Sequence, residues 1–274
     1  PLCSCLGCNG IWNMAKRIDY LFSINTGRSG SEYLGGILKH VVDCHAEHEP
    51  EPIGNGAVMR QYLRGEHGPM RELAQNKIKA IQQAKGDAQV YAETNHCFIK
   101  GFGWFLPELL PQEKIGVIIL KRDEAKIAQS LLRVGCSPLV SGGRDWICTP
   151  EMALPLVQPP KRLGSTRAAY HLARAIKFPV RVLDFLVYKC CGKRLGYPKW
   201  LTNYELDCLA WYVQETHARA EVYKQTYPNI TFVEVTIDDL NELESVEAML
   251  SQFGLAGQAT LKDVVGKPTN LKTD

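Results

Sequence analysis

The stretch YLFSINTGRSGSEYLGGILKH, residues 20–40, decides how this chain is read. Leu21, Phe22 and Ile24 make a short apolar run. A small polar stretch, Asn25-Thr26-Gly27-Arg28-Ser29-Gly30-Ser31, interrupts it, and an amphipathic segment follows with Tyr33, Leu34, Ile37 and Leu38 on one face. That order predicts a strand at Tyr20–Ile24, a Gly-rich turn, and a helix from about Ser31 to His40. A turn feeding a helix N-terminus offers free backbone N–H groups and the positive end of the helix dipole, which is a setting for an anion. Gly27 and Gly30 permit close backbone approach. Ser29 and Ser31 add hydroxyls, and Arg28 adds a planar fork of charged donors. The plain alternative is a turn whose Arg points at solvent. A nucleotide-triphosphate loop of the G-x-x-x-x-G-K-[ST] type is not matched, because Gly30 is followed by Ser31 and Glu32 and no Lys.

Outward from this stretch, strands alternate with helices. DCHAEHEPEPIGNG, residues 43–56, reads as a loop because of its Pro and Gly. Residues 57–85 read as helical with a stop at Gly86-Asp87, and QVYAET, 89–94, as a strand. A short helical turn at 107–111 leads to KIGVIILKR, 114–122, whose unbroken apolar run marks a strand buried on both faces of a parallel sheet. DEAKIAQSLLRVG then reads as a helix stopped by Gly135. Residues 137–165 read as a long loop, 166–191 as a helix interrupted near Pro179, and 203–227 as a helix starting near an Asn203 cap. NITFVEV, 229–235, is the last strand, and a helix covers about 238–253. The fold class expected is α/β, a P-loop-like three-layer fold with a central, mostly parallel sheet flanked by helices. A chain of 274 residues suits one domain over 15–274, with residues 1–14 as an N-terminal extension or tag.

Composition narrows the class. Hydrophobic residues make up 45% and charged residues 22%, ordinary for a globular protein and unlike a disordered one. No apolar run reaches the roughly 18 residues of a membrane span, so no transmembrane segment is expected. The ten cysteines include a cluster at Cys3, Cys5 and Cys8 and an adjacent pair, Cys190 and Cys191, but form no disulfide framework. The net charge of +3 hides an asymmetry: Pro159–Trp200 carries ten basic residues and a single acid, Asp184. Such a segment is either a solvated helical face or a surface for an anionic partner.

A second constellation joins the first. Arg122 ends the buried strand, and Ser130 lies eight residues on, in the helix that follows. Together with Thr26-Gly27-Arg28-Ser29-Gly30-Ser31, this resembles the nucleotide-dependent sulfotransferases, closer to their bacterial and carbohydrate types than to the cytosolic type. In that family the first loop takes the 5′-phosphosulfate, and an Arg at a strand end with a Ser eight residues later takes the 3′-phosphate. YAETNHCFIKGFGWFLPELLPQEKIGVIILKRD and YPNITFVEVTIDDL are similar to further family segments, so the resemblance covers about 18–135 and 204–255. Residues 137–203 fall outside it, at a place where the family often shapes its acceptor pocket. Arg28 stands where cytosolic members usually carry Lys, and Ser31 replaces a common Thr. The cytosolic C-terminal phosphate motif is missing, with Lys267 and Asn270 of VGKPTNLK as its candidate substitutes.

The resemblance implies transfer of a sulfuryl group from 3′-phosphoadenosine-5′-phosphosulfate to a hydroxyl or amine, leaving adenosine 3′,5′-bisphosphate. Thr26, Gly27, Arg28, Ser29, Gly30, Ser31, Arg122 and Ser130 would hold the donor, and Arg28 would also stabilise charge on the leaving oxygen. No metal is implied. Cys44, His45 and His48 are a weak metal alternative, since they lack a helical spacing. An acceptor hydroxyl needs a general base, for which Glu49 and His96 stand level and His48 behind them. The acceptor is a glycan, a lipid or a small molecule. No nucleic-acid partner is implied, and oligomeric state is open. The compartment expected is cytoplasmic, or the Golgi lumen for a chain that had lost a membrane anchor. The competing readings are a kinase-like ATP phosphotransferase and a non-catalytic anion- or glycan-binding module.

Overall fold

The computed structural model describes residues 17–161 and 166–267. In chain order its elements are β1 (Tyr20–Ile24), α1 (Ser31–Leu38), β2 (Cys44–His48), α2 (Gly56–Leu63), α3 (Gly68–Lys85), β3 (Val90–Thr94) and α4 (Leu106–Leu109). Then come β4 (Ile115–Lys121), α5 (Glu124–Arg133), α6 (Ser141–Arg144), α7 (Thr166–Cys191), α8 (Lys199–Thr226), β5 (Thr231–Thr236) and α9 (Leu243–Gln252). The five strands form one sheet in the order β2-β3-β1-β4-β5, and every pairing is parallel. The sheet expected to be mostly parallel is wholly so among the described residues.

Alternation along the strands builds the three layers. Ile115, Val117 and Ile119 of β4, with Phe22 and Ile24 of β1, face a core shared with α2, α3, α5 and α8. Ile118 and Leu120 of β4, with Leu21 of β1, face the opposite core, closed by Leu34, Ile37 and Leu38 of α1 and Val246, Met249 and Leu250 of α9. β4 is buried over Ile115–Leu120, as its continuous apolar run requires.

Five local expectations change. Residues 44–48 form β2 rather than loop. The prolines and glycines of that stretch all lie beyond His48, and CHAEH is a half-buried edge strand with no apolar run to announce it. The helix expected over 57–85 is two, because Gly65 takes a left-handed φ of 99° after α2 and Pro69 starts α3 in the first turn that proline favours. α7 continues through Pro179, since Ala175 and Pro179 are both exposed and the carbonyl that loses its partner can turn to water. α8 begins at Lys199 with Pro198 as its cap, not at Asn203, and buries Leu201 a turn earlier. The last helix starts at Leu243. Ahead of it Asp239 accepts from the Thr236 amide at 2.7 Å and holds a separate 3₁₀ turn over Asp239–Asn241. The Cys3/Cys5/Cys8 cluster and Asn270 lie outside the described residues. Among those described, no helix is long and apolar enough to cross a membrane.

Candidate active site

The polar turn leaves the carboxyl end of β1, the middle strand. Its shape is set internally. Ser23 Oγ donates to Asn25 Oδ1 at 2.6 Å, Asn25 Nδ2 to the Thr26 carbonyl at 3.2 Å, and Ser29 Oγ to the same carbonyl at 2.8 Å. Arg28 (φ 68°) and Gly30 (φ 104°) both take left-handed backbone, which is strained for an arginine. A Cβ on Gly30 would meet only the tip of the Ile237 side chain, so glycine is required there for its conformation. Alternating left-handed residues fold successive N–H groups into a concavity suited to an anion. Two further features fit one. The cap of α1 is Gly30, which has no side chain to satisfy the helix start. Thr26 Oγ1 is buried without a hydrogen-bond partner.

The two separated motifs meet here. Arg28 Nε donates to Ser130 Oγ at 3.2 Å, across 102 residues of chain. Arg122 Nη1 donates to the Arg28 carbonyl at 2.9 Å. The meeting follows from topology, because β4 pairs with β1 in register and releases Arg122 beside the turn, while α5 carries Ser130 back across it. Arg122 also lines a cleft of about 650 Å³ with Tyr33, Lys121, Lys126, His217 and Ile237. Tyr33 Oη accepts from the Gly266 amide at 2.7 Å and donates to the Leu240 carbonyl at 2.9 Å. That contact brings the backbone next to Lys267 against the cleft wall. Tyr33 was counted only as a core residue in the sequence, because a tyrosine on the apolar face of a helix looks like packing.

Glu49 and His96, level candidates in the sequence, are partners in the structure. In the β2–β3 register His48 sits opposite Thr94, so the residues just past each strand end emerge together. The Glu49 amide donates to the Thr94 carbonyl at 3.0 Å, and His96 Nδ1 hydrogen-bonds Glu49 Oε1. Glu49 also takes positive φ (49°). The His96 ring stacks on Trp146 with centroids 5.4 Å apart, and its Nε2 lies 3.8 Å from Cys97 Sγ. His96 has 7% of its side chain exposed and Glu49 has 24%, so the carboxylate is the member open to a visitor. His48 is turned to Thr94, sharing a 2.8 Å hydrogen bond through Nδ1, and holds the strand ends together.

The electrostatics follow from this packing. Burial alone would raise the Glu49 carboxyl. The His96 hydrogen bond and the charges of His96, His48 and Lys100 outweigh it and hold the group below the ordinary range. Burial and Lys100 act against a charge on His96, but Cys97 and the Glu49 hydrogen bond prevail and hold it above its ordinary value. Lys100 is fully buried, donating to the Trp146 carbonyl and, at 3.1 Å, to Tyr212 Oη. Beneath Glu49, Lys77 Nζ donates to the Pro50 carbonyl at 2.7 Å and pairs with the buried Glu93 at 2.8 Å. Asn95 Nδ2 bonds both Glu93 Oε1, at 2.9 Å, and the Ile53 carbonyl, at 3.1 Å. This network fixes the backbone that presents Glu49. Lys77, Lys100 and Trp146 were not singled out in the sequence; the one visible signal was a lysine inside the apolar run FIKGFGWF.

Among the described residues no three His, Cys, Asp or Glu side chains converge as a metal site. Cys44 and His48 stand four residues apart along β2, roughly 13 Å by strand rise, and His45 points to the other face. Comparison with known proteins returns no match, either to a protein-family model or to a curated sequence.

Proposed function

We propose that the protein is a sulfotransferase, moving a sulfuryl group from 3′-phosphoadenosine-5′-phosphosulfate to an acceptor hydroxyl. The observation that carries this reading is the contact of Arg28 with both Ser130, through its side chain, and Arg122, through its carbonyl, which brings the two motifs together. The left-handed turn and the unpartnered Thr26 hydroxyl fit the 5′-phosphosulfate end of the same donor. The bound nucleotide supplies the sulfuryl group. Arg122 and Ser130 would fix its 3′-phosphate, and the turn with Arg28 would meet the negative charge that develops as the bridging S–O bond breaks. Glu49 is the base: it is the more accessible member of the pair, and a base has to touch the proton it takes. The acceptor oxygen bonds to sulfur, its proton passes to Glu49, and the bisphosphate departs. His96 positions the carboxylate. Lys267 is retained as a further donor-binding residue.

The test uses the whole chain with adenosine 3′,5′-bisphosphate and, separately, ATP with Mg²⁺. Saturation at 100 times Kd stabilises by about 2.7 kcal/mol, which raises Tm by roughly 5–10 °C for a chain of this size. Arg122→Ala should weaken bisphosphate binding roughly 10- to 100-fold, the loss of one or two hydrogen bonds to a charged group. Glu49→Gln should bind it as the parent does and lose turnover in a screen of hydroxyl acceptors. A response to Mg-ATP alone points to a phosphotransferase. Bisphosphate binding indifferent to Arg28→Ala and Arg122→Ala would sink the assignment.

A further inference from the structure

The basic segment 159–200 is not used by this site, and its packing is lopsided. The first half of α7 is held: Tyr170 and Ala173 are buried against Leu201, Tyr204 and Cys208 of α8. From Phe178 to Cys191 the helix stands out from the body, and Asp184 is its one buried residue. Phe178 (73% exposed), Val182, Leu183, Phe185, Leu186 and Tyr188 all face solvent there. Leu195 in the connection that follows and Trp200 at the start of α8 are exposed as well.

The charges are arranged around it. Asp184, the only acid, is turned inward: its carboxylate accepts from Arg194 Nη1 at 2.7 Å and from the Leu195 and Gly196 amides at 2.9 and 3.2 Å. Lys177 pairs with Glu205 at 2.8 Å and lies over the Tyr197 ring, 3.3 Å from its centroid. These contacts tie the hairpin of α7, the return and α8 into shape. Arg181, Lys189, Lys193 and Lys199 are left exposed, and among the described residues none of them forms an ion pair with a carboxylate. Lys189 rides over Phe185 at 5.7 Å, so its charge and the aromatic ring share one face.

We propose that residues 178–200 are a membrane-docking element that lies in the surface of an anionic lipid bilayer. A short helix with aromatic and aliphatic side chains outward, and lysine and arginine beside them, is what an interfacial helix requires. The apolar groups enter the headgroup boundary while the long basic side chains reach back to lipid phosphates and carboxylates. The exposed part of the helix is roughly 21 Å long, too short for the ~30 Å hydrocarbon core, so it lies on the membrane and does not cross it. A second copy of the chain is the poorer occupant, because a twofold contact would set the same unpaired cations against each other. The held half of α7 is tied to the body. Arg174 of the held half pairs with Glu151 at 3.2 Å, and Tyr170 Oη donates to the Pro138 carbonyl at 2.7 Å. Those residues bracket Trp146, which stacks on His96. The inference does not rest on the sulfotransferase reading.

The test is flotation of the full chain with vesicles of phosphatidylcholine, with and without phosphatidylserine. The chain is expected to float with the anionic vesicles only, and to be released by high salt. Lys189→Glu with Lys193→Glu should weaken partitioning by roughly 25-fold or more, about fivefold for each cation removed. Phe178→Ser with Leu186→Ser should release it as well. Every position changed is exposed, and circular dichroism checks that the variants fold. A folded parent chain that stays down with both vesicle types overturns the proposal. So does equal binding to neutral vesicles that the charge variant leaves unchanged. A dimer by light scattering that Phe178→Ser dissolves, in a chain that binds no vesicle, overturns it in favour of a second copy.

Discussion

Replacing Glu49 by Gln keeps the side chain's shape and removes its charge, so it isolates the ionic part of the bond to His96. Glu49 is held below its ordinary 4.5, so its contribution to stability is complete above that pH and is lost as pH falls through the depressed pKa. His96 is held above its ordinary 6.5, so its contribution is complete below that pH and is lost as pH rises through the raised pKa. Both act together between those two values. His48, Cys97 and Lys100 face the same pair and set the background. A hydrogen bond to a charged group contributes about 1.5–3 kcal/mol. Glu49 keeps 24% of its side chain in water, so screening places the expected loss near the lower end, about 1.5 kcal/mol. For a chain of this size that is about 3–6 °C in Tm. Thermal melts of parent and variant should therefore differ most near pH 5.5, a point chosen inside the window, and converge roughly a unit or more above His96's raised pKa. There the neutral imidazole donates to carboxylate or amide alike. An equal gap across pH 5 to 9, or one that widens on the alkaline side, would refute the charged pairing.

Gly30→Ala should lower stability by about 1–2 kcal/mol from its left-handed backbone alone. The new Cβ meets only the tip of the Ile237 side chain, so Ile237→Ala in the same chain should recover little of that loss. A single variant that melts with the parent would show that the turn is not held as described. Lys77→Met strands Glu93 without its cation and should cost about 3–5 kcal/mol in a urea titration. Adding Glu93→Gln should restore much of it, and a small effect of Lys77→Met alone would mean the Glu93 carboxyl is already neutral.

The sheet was legible where sequence pattern and burial agree. KIGVIILKR, an unbroken run rich in β-branched residues, matches β4, and YLFSI followed by a glycine turn leads to α1 almost residue for residue. β2 was not legible, because an edge strand half open to water needs no apolar run, and CHAEH has none. The same fact hid the relation between Glu49 and His96. Once 44–48 is read as loop, nothing puts Glu49 at a strand end beside the one that releases His96. The glycine turn after β1 and Arg122 at the end of β4 were legible as local patterns, whereas their contact was not, since it depends on β1 and β4 being neighbours. Lys77 and Lys100 escaped for a different reason. A lysine in a helix or an apolar turn is read as solvated, and only tertiary packing shows that Lys77 is enclosed beside Glu93 and Lys100 beside a carbonyl and the Tyr212 hydroxyl.

The strand order explains why both halves of the candidate site exist in one place. β1 lies between β3 and β4, so its turn has the Glu49–His96 pair on one side and Arg122 on the other. Every one of these groups leaves the carboxyl end of a parallel strand, the edge at which open α/β sheets collect ligands. Arg122 and Ser130 lie toward β4 and α5, and the hydrogen-bonded Glu49–His96 pair lies toward β2 and β3. A substitution on the β4 side should therefore move affinity for an anion with little change in the Glu49–His96 titration, and one on the β2 side should do the reverse. That separation distinguishes a two-substrate transfer site from a plain anion-binding turn, in which the Glu49–His96 pair would have no effect on turnover because there would be none.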